Sequence, residues 1–111
     1  MGRFLAPRQE EAAAARVRIL WAEGAVANLA AVEAQIEAVH SSRTALKEVR
    51  KIIAQVERLA RFPHSGRPGR APGTRELVVA PYVVAYRVTE DSLQSLRVLH
   101  GRQRWPARFA R

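Results

Sequence analysis

The spacing of apolar residues predicts one strand and two helices in the first 63 residues. Residues 16–21 alternate between polar and apolar positions, as a half-buried strand does. Apolar side chains then recur every three or four residues over 25–39 and again over 46–60, which is typical of helices that bury one face. Pro63 ends the second pattern because proline cannot continue a helix. The short junction at 40–42, whose serines can cap the second helix, makes the two helices antiparallel neighbours.

Three more strands are predicted after an irregular loop. The loop, residues 63–73, holds three of the six glycines and three of the six prolines. Residues 74–79, 82–88 and 93–100 are rich in valine and leucine and are separated by short turns, which is typical of an antiparallel meander. The apolar faces of the helices need a sheet to cover them. The predicted fold is therefore α+β, in the order β-α-α-β-β-β, with a helical hairpin packed on a small antiparallel sheet.

The same pattern divides the chain into an arm and one domain. Residues 1–15 show no period, so we predict a mobile N-terminal arm, followed by a domain over 16–111. The start lacks the apolar centre of a signal peptide, and no apolar run approaches the ~20 residues of a membrane span. The chain has no cysteine, which excludes disulfides and thiolate metal sites. We expect a cytoplasmic protein that has no membrane partner.

Charge narrows the choice of partners. The chain has nineteen basic and ten acidic residues, which gives a net charge of +9, and seventeen of the basic residues are arginines. Arginine makes bidentate contacts with carboxylates and phosphates, so the charge favours a nucleic acid or an acidic peptide as partner. A solvated basic surface without a specific partner is the alternative.

Candidate chemistry lies at the end of the last predicted strand. His100 is followed by Arg102 and Arg104, and a histidine can move protons while arginines stabilise a pentacovalent phosphate, as a metal-independent RNase requires. The same side chains can instead form a docking patch. The histidines and the single aspartate, Asp91, do not have metal-ligand spacing, so we expect no metal and no cofactor.

Two segments carry a family resemblance. FPHSGRPGRAPGTRELVVAPYVVAYRV and LRVLHGRQRWP, placed after a strand and a helical hairpin, resemble the RelE/ParE superfamily of type II toxins. The resemblance covers nearly everything beyond the arm, and makes 16–111 the toxin domain. The Arg-Glu-Leu strand start and the His-Gly-Arg ending are more similar to the ParE branch. The family implies a plasmid-stabilising toxin silenced by an antitoxin whose acidic C-terminal tail is partly disordered.

The two branches of the family imply different targets. Members resembling RelE cut mRNA in the ribosome with cations on the middle strands, whereas studied members of the ParE branch poison DNA gyrase. Thr74 and Glu76 stand where lysines are expected, and Val83 stands where an arginine is expected. The resemblance therefore favours a gyrase inhibitor with no catalytic residue. Its expected target-binding residues are Arg97, His100, Arg102, Arg104 and Trp105.

Two alternatives stay open. One is a ribosome-dependent, metal-independent mRNA endonuclease, in which Arg75, Glu76 and His100 match the catalytic trio of members resembling YoeB. The other is a non-toxic basic module that binds nucleic acid. In either toxin, the resemblance implies that the antitoxin lies along the hairpin and the sheet. The expected antitoxin-binding residues are Leu46, Val49, Arg50, Ile53 and Arg75.

Overall fold

The computed structural model describes residues 16–104, and the predicted arm at 1–15 lies outside the described residues. The predicted order of elements is confirmed, with one short strand added inside the loop. The elements are β1 (Arg18–Trp21), α1 (Glu23–Val39), α2 (Ser42–Glu57), a 3₁₀ turn (Arg58–Ala60), β2 (Arg67–Pro68), β3 (Arg75–Val79), β4 (Tyr82–Val88) and β5 (Ser92–His100).

The five strands form one sheet in the order β1-β5-β4-β3-β2. The meander of β3, β4 and β5 is antiparallel, as predicted. One pairing differs from the predicted antiparallel sheet, because β1 runs parallel to β5, with Arg18 opposite Ser92 and Trp21 opposite Ser95. The helical hairpin carries the chain away from β1, and β5 has only this edge free once β4 occupies the other. The α+β fold class is confirmed, on a mixed sheet.

Local contacts explain where the helices begin and how they reach the sheet. The Ser41 hydroxyl accepts a hydrogen bond from the Thr44 amide at 3.1 Å, which confirms the predicted serine cap of α2. On α1, the Asn28 carboxamide oxygen accepts a hydrogen bond from the Val98 amide at 2.9 Å. Since β1 ends opposite Ser95, this contact satisfies a backbone donor of β5 that has no strand beside it.

The core lies between the hairpin and one face of the sheet. One cluster joins Ala25 of α1 and Val56 of α2 to Val84 and Val98 of the sheet. A second cluster contains Leu59, Tyr86 and Leu93. Other apolar side chains of the hairpin stay accessible, with Val26, Val39 and Leu46 exposed at 53%, 68% and 42%. The hairpin thus keeps apolar surface outside the core. Within residues 16–104, no helix combines the length and apolar character needed to span a membrane.

Tyr86 fastens the loop to the sheet. Its side chain is fully buried, and its hydroxyl accepts a hydrogen bond from the Gly66 amide and donates one to the Pro63 carbonyl, both at 2.9 Å. A Cβ on residue 66 would collide with this hydroxyl, so the close approach requires glycine. Burial raises the pKa of Tyr86 above its usual value of 10.0, opposed in part by the Gly66 hydrogen bond and the charge of Arg75.

Replacing Tyr86 by phenylalanine is expected to lower the free energy of unfolding by about 1 to 2 kcal/mol at neutral pH, because it leaves the Gly66 amide and the Pro63 carbonyl unpaired. The raised pKa of Tyr86 also makes the stability of the wild type depend on pH in the alkaline range. The phenol of the folded chain resists ionisation, so its stabilising effect is complete below about pH 10 and is lost as the pH rises from there. Urea unfolding of both proteins at pH 7 and above pH 10 measures both effects, and an equal alkaline loss in the two proteins would contradict this assignment.

Candidate functional site

The carboxylate of Glu76 is a structural anchor for the loop. It is 2% exposed and accepts hydrogen bonds from the Arg67 guanidinium at 2.9 and 3.0 Å. It also accepts one from the Arg70 backbone amide at 2.9 Å, and the Arg70 Nε lies 3.5 Å from the same carboxylate. These contacts, here called the Glu76 clamp, hold β2 and the following turn against β3. A carboxylate with this many partners is poorly placed to act as a general base.

Arg75 also serves the loop. One nitrogen of its guanidinium donates hydrogen bonds to the backbone carbonyls of His64, at 3.1 Å, and Gly66, at 2.7 Å. Its charge therefore faces the start of the loop. Arg75 was a candidate both for catalysis and for antitoxin binding, and the structure places its guanidinium in a backbone-supporting role.

The candidate trio of Arg75, Glu76 and His100 is not brought together. On β4, Arg75 pairs with Tyr86 whereas His100 pairs with Tyr82. Tyr82 and Tyr86 are four residues apart, which corresponds to about 13 Å along β4. In addition, Arg75 lies on β3 and His100 on β5, and these two strands flank β4 about 10 Å apart. Side chains that far apart cannot share one reacting phosphate, so the geometry disfavours the endonuclease alternative.

His100, Arg102 and Arg104 form the basic rim, at the C-terminal end of β5. The turn that follows the strand is closed by hydrogen bonds from the Gln103 amide to the His100 carbonyl, from the His100 amide to the Gln103 carboxamide, and from the Gly101 amide to the Pro81 carbonyl. Both arginines are exposed, and neither forms an ion pair with any residue in the described part of the chain. The turn therefore presents two available cations.

The His100 ring is oriented by its neighbours. Its Nδ1 accepts a hydrogen bond from the Arg102 amide at 3.2 Å, so the neutral ring carries its proton on Nε2. The ring also contacts Tyr82 edge to face, with centroids 5.7 Å apart. Beside it, a cleft of about 420 Å³ is lined by the polar side chains of Asn28, Gln35 and Gln103 together with apolar ones such as Val32. This arrangement offers hydrogen bonds next to the cations of the basic rim.

The remaining target-binding candidates lie elsewhere. Arg97 is half-buried, and its guanidinium packs against the start of α1, where a Cβ on Gly24 would lie 2.8 Å from it. Its Nε is buried and has no hydrogen-bond partner among the described residues. Trp105 lies outside the described residues. The structure thus groups three of the five predicted residues and sets Arg97 apart from them.

The candidate antitoxin-binding residues on α2 share one accessible stripe. Leu46, Val49, Arg50 and Ile53 are spaced three and four residues apart, and each is exposed or half-buried. The stripe is therefore open to a partner. Arg75, on β3, is the member of the predicted set that does not belong to it.

Sequence reasoning missed the Glu76 clamp and a cationic cleft at the end of α2. A signal for the clamp was available, since an acidic residue in a predicted strand follows two loop arginines, Arg67 and Arg70. The signal for the cleft was Phe62, a large apolar residue just before a proline. Within 16–104, no three histidine or acidic side chains lie close enough to hold a metal ion.

Comparison with known proteins agrees with the fold and with the sequence of its elements. Residues 19–105 match the family described as the ParE toxin of the type II toxin-antitoxin system parDE. Y4kP of Sinorhizobium fredii strain NGR234, whose name describes it as a candidate toxin, is 42% identical over 93 residues, covering 82% of this chain and 95% of that protein. A solved chain from a chromosomal ParDE system of P. aeruginosa superposes with a TM-score of 0.72 at 29% identity, covering 78% of this chain and 97% of that one.

Proposed function

Because the chain belongs to the ParE toxin family of type II toxin-antitoxin systems, we propose that it arrests growth by binding DNA gyrase. The proposed mode is inhibition by binding, without a covalent step, and a cognate antitoxin with an acidic tail neutralises it. The observation that carries the proposal is the basic rim, where two exposed arginines and an oriented histidine share one turn.

The middle strands support binding over RNA cleavage. The three positions where the cations of ribosome-dependent nucleases are expected hold side chains with structural contacts. The Thr74 hydroxyl is buried and donates a hydrogen bond to the Ala71 carbonyl at 2.6 Å. Glu76 forms the Glu76 clamp, and Val83 is 4% exposed. A well-placed donor stabilises a charged transition state by about 3 kcal/mol. The absence of cations at these three positions therefore removes most of the rate enhancement that a nuclease of this kind requires.

The basic rim fits an acidic protein surface. Arg102 and Arg104 present forked donors that match carboxylates, and the side-chain amides of Asn28 and Gln103 in the cleft beside His100 add uncharged hydrogen-bond partners. Charged groups of this kind speed association with an oppositely charged partner and fix its orientation. We propose that these residues contact acidic side chains of gyrase.

The two helices differ in charge, which indicates where the antitoxin binds. Within 23–39, α1 has three glutamates and no basic residue, whereas α2, within 42–57, has four basic residues and two glutamates. An acidic tail is therefore attracted to α2. We propose that its apolar side chains pack on Leu46, Val49 and Ile53 while its carboxylates pair with Arg50, as helix-in-groove complexes do.

The proposal is tested by supercoiling of relaxed plasmid with purified gyrase and the full chain. We expect inhibition at micromolar toxin and its relief by an equimolar cognate antitoxin. Normal supercoiling, together with ribosome-dependent cleavage of mRNA, would instead establish the endonuclease.

Replacing His100 by alanine separates the two mechanisms further. In a binding toxin the change removes the acceptor for the Arg102 amide and the ring contact with Tyr82, so the turn is held less firmly. We expect a loss of about 1 kcal/mol in the free energy of gyrase binding, which weakens inhibition about fivefold. Growth arrest on strong induction should persist. Complete loss of toxicity in a variant that keeps the wild-type Tm and antitoxin affinity would indicate a catalytic histidine.

A further inference from the structure

A cleft of about 530 Å³ opens where α2 ends, on surface that neither the gyrase-binding nor the antitoxin-binding residues occupy. Arg16, Arg58 and Arg61 line it together with the apolar side chains of Ala54, Ala60 and Phe62. The arginines come from distant parts of the sequence. They meet because the Val17 amide donates a hydrogen bond to the Ala60 carbonyl at 3.0 Å, which ties the start of β1 to the 3₁₀ turn.

The cleft has an unbalanced positive charge. Three arginines and one carboxylate, Glu57, line it, and all four side chains are exposed. Among residues 16–104, none of these arginines pairs with an acidic side chain. Arg58 begins the 3₁₀ turn and Arg61 follows it directly, and a spacing of three residues at such a turn places their side chains on one side. The cleft therefore attracts anionic groups.

Phe62 gives the cleft an apolar feature that is held in place. Phe62 is 64% exposed, which is unusual for a phenylalanine. The backbone around it is fixed, because the Phe62 carbonyl accepts a hydrogen bond from the Ser65 amide and the neighbouring Pro63 carbonyl accepts one from Tyr86. The ring thus stays at the surface without requiring the loop to reorganise when a partner arrives.

We propose that this cleft binds an acidic peptide segment by receiving one of its large apolar side chains, preferably aromatic. The side chain packs on Phe62, and flanking carboxylates pair with Arg58, Arg61 and Arg16. The idea rests on the proposed function, since the antitoxin's acidic tail is the natural carrier of such a segment, and it adds a second anchor point beyond α2. A nucleic acid fits less well, because Ala54, Ala60 and Phe62 give the cleft apolar surface that a sugar-phosphate backbone would leave uncovered.

Binding is tested with the ¹⁵N-labelled full chain and a synthetic peptide that has one central tryptophan flanked on each side by four alternating aspartates and glutamates. We expect amide shifts concentrated at Val17 and residues 58–62. A peptide with serine in place of tryptophan should bind about tenfold more weakly, since burial of the ring is lost. Equal affinity of the two peptides, or shifts confined to residues 100–104, would overturn the proposal.

Matched variants separate this site from general attraction to a basic protein. Arg58→Ala with Arg61→Ala should weaken peptide binding about tenfold, as should Phe62→Ser. Arg43→Ala with Lys47→Ala removes the same charge from the antitoxin-binding helix, about 22 Å away from the cleft. It should change the affinity measured from the amide shifts of residues 58–62 by less than twofold. Equal weakening by the two double variants would contradict a specific site, as would tighter binding of a nine-nucleotide oligothymidylate at residues 58–62.

The same variants distinguish failure of this proposal from failure of the proposed function. Arg58→Ala with Arg61→Ala leaves the basic rim intact, so its inhibition of gyrase without antitoxin should equal that of the wild type. A toxin that inhibits gyrase but does not bind the peptide at 58–62 refutes the cleft alone. A toxin that binds the peptide there but leaves gyrase unaffected refutes the target alone.

Discussion

Replacing Glu76 by alanine is expected to lower the free energy of unfolding by about 2 to 3 kcal/mol. The change leaves the Arg67 guanidinium and the Arg70 amide without their buried acceptor, and removing one partner of such a group costs more than the contact itself contributes. Because Arg67 is half exposed, water recovers part of the loss and keeps the effect below that of a fully buried pair. Urea unfolding followed by circular dichroism measures it.

Glu90 offers a matched control for this prediction. It is an exposed glutamate in the turn before β5, so its replacement by alanine should change stability by less than about 0.5 kcal/mol. Glu76→Gln keeps the shape and one acceptor, and should fall between the two. If Glu76→Ala were as stable as Glu90→Ala and lost toxicity, the carboxylate would have a catalytic role and the Glu76 clamp would not be its main function.

Reversing both charges of the basic rim is expected to raise the concentration for half-inhibition of gyrase about 100-fold. In Arg102→Glu with Arg104→Glu, two charge-assisted contacts of about 1.5 kcal/mol each are lost, and the sum corresponds to that factor. Both side chains are exposed, so the fold should be unaffected. The measurement is a supercoiling titration with purified toxin, with Tm recorded for each variant.

The control for this prediction is Arg43→Glu with Lys47→Glu on α2. It changes the net charge equally at another surface, and should alter half-inhibition by less than threefold through long-range attraction alone. If both double variants lost inhibition equally, net charge would govern the encounter, and the basic rim would not be the contact surface.

Local pattern was enough to predict most of the fold. The helices follow from apolar side chains every three or four residues, and the strands of the meander follow from alternation and short turns. The parallel pairing of β1 with β5 could not be predicted in this way, because the choice of an edge depends on which edges the rest of the sheet leaves free. The two-residue β2 is too short for any periodicity to mark it.

The candidate site was predictable only where its residues are neighbours in sequence. His100, Arg102 and Arg104 lie together because one turn contains them, and the structure keeps them together. The sequence made Arg75 and Glu76 candidates for catalysis, yet in the structure both side chains form hydrogen bonds that hold the loop. Residue type alone could not show this, since a buried acidic side chain and a catalytic one look the same in a strand pattern.

The central claim is that this ParE-family toxin acts by binding gyrase. The most direct test is supercoiling of relaxed plasmid by purified gyrase over a titration of the full chain, with mRNA integrity on purified ribosomes followed in parallel. We predict that supercoiling stops at micromolar toxin while mRNA stays intact. Undisturbed supercoiling at those concentrations, with mRNA cut on the ribosome, would contradict the account.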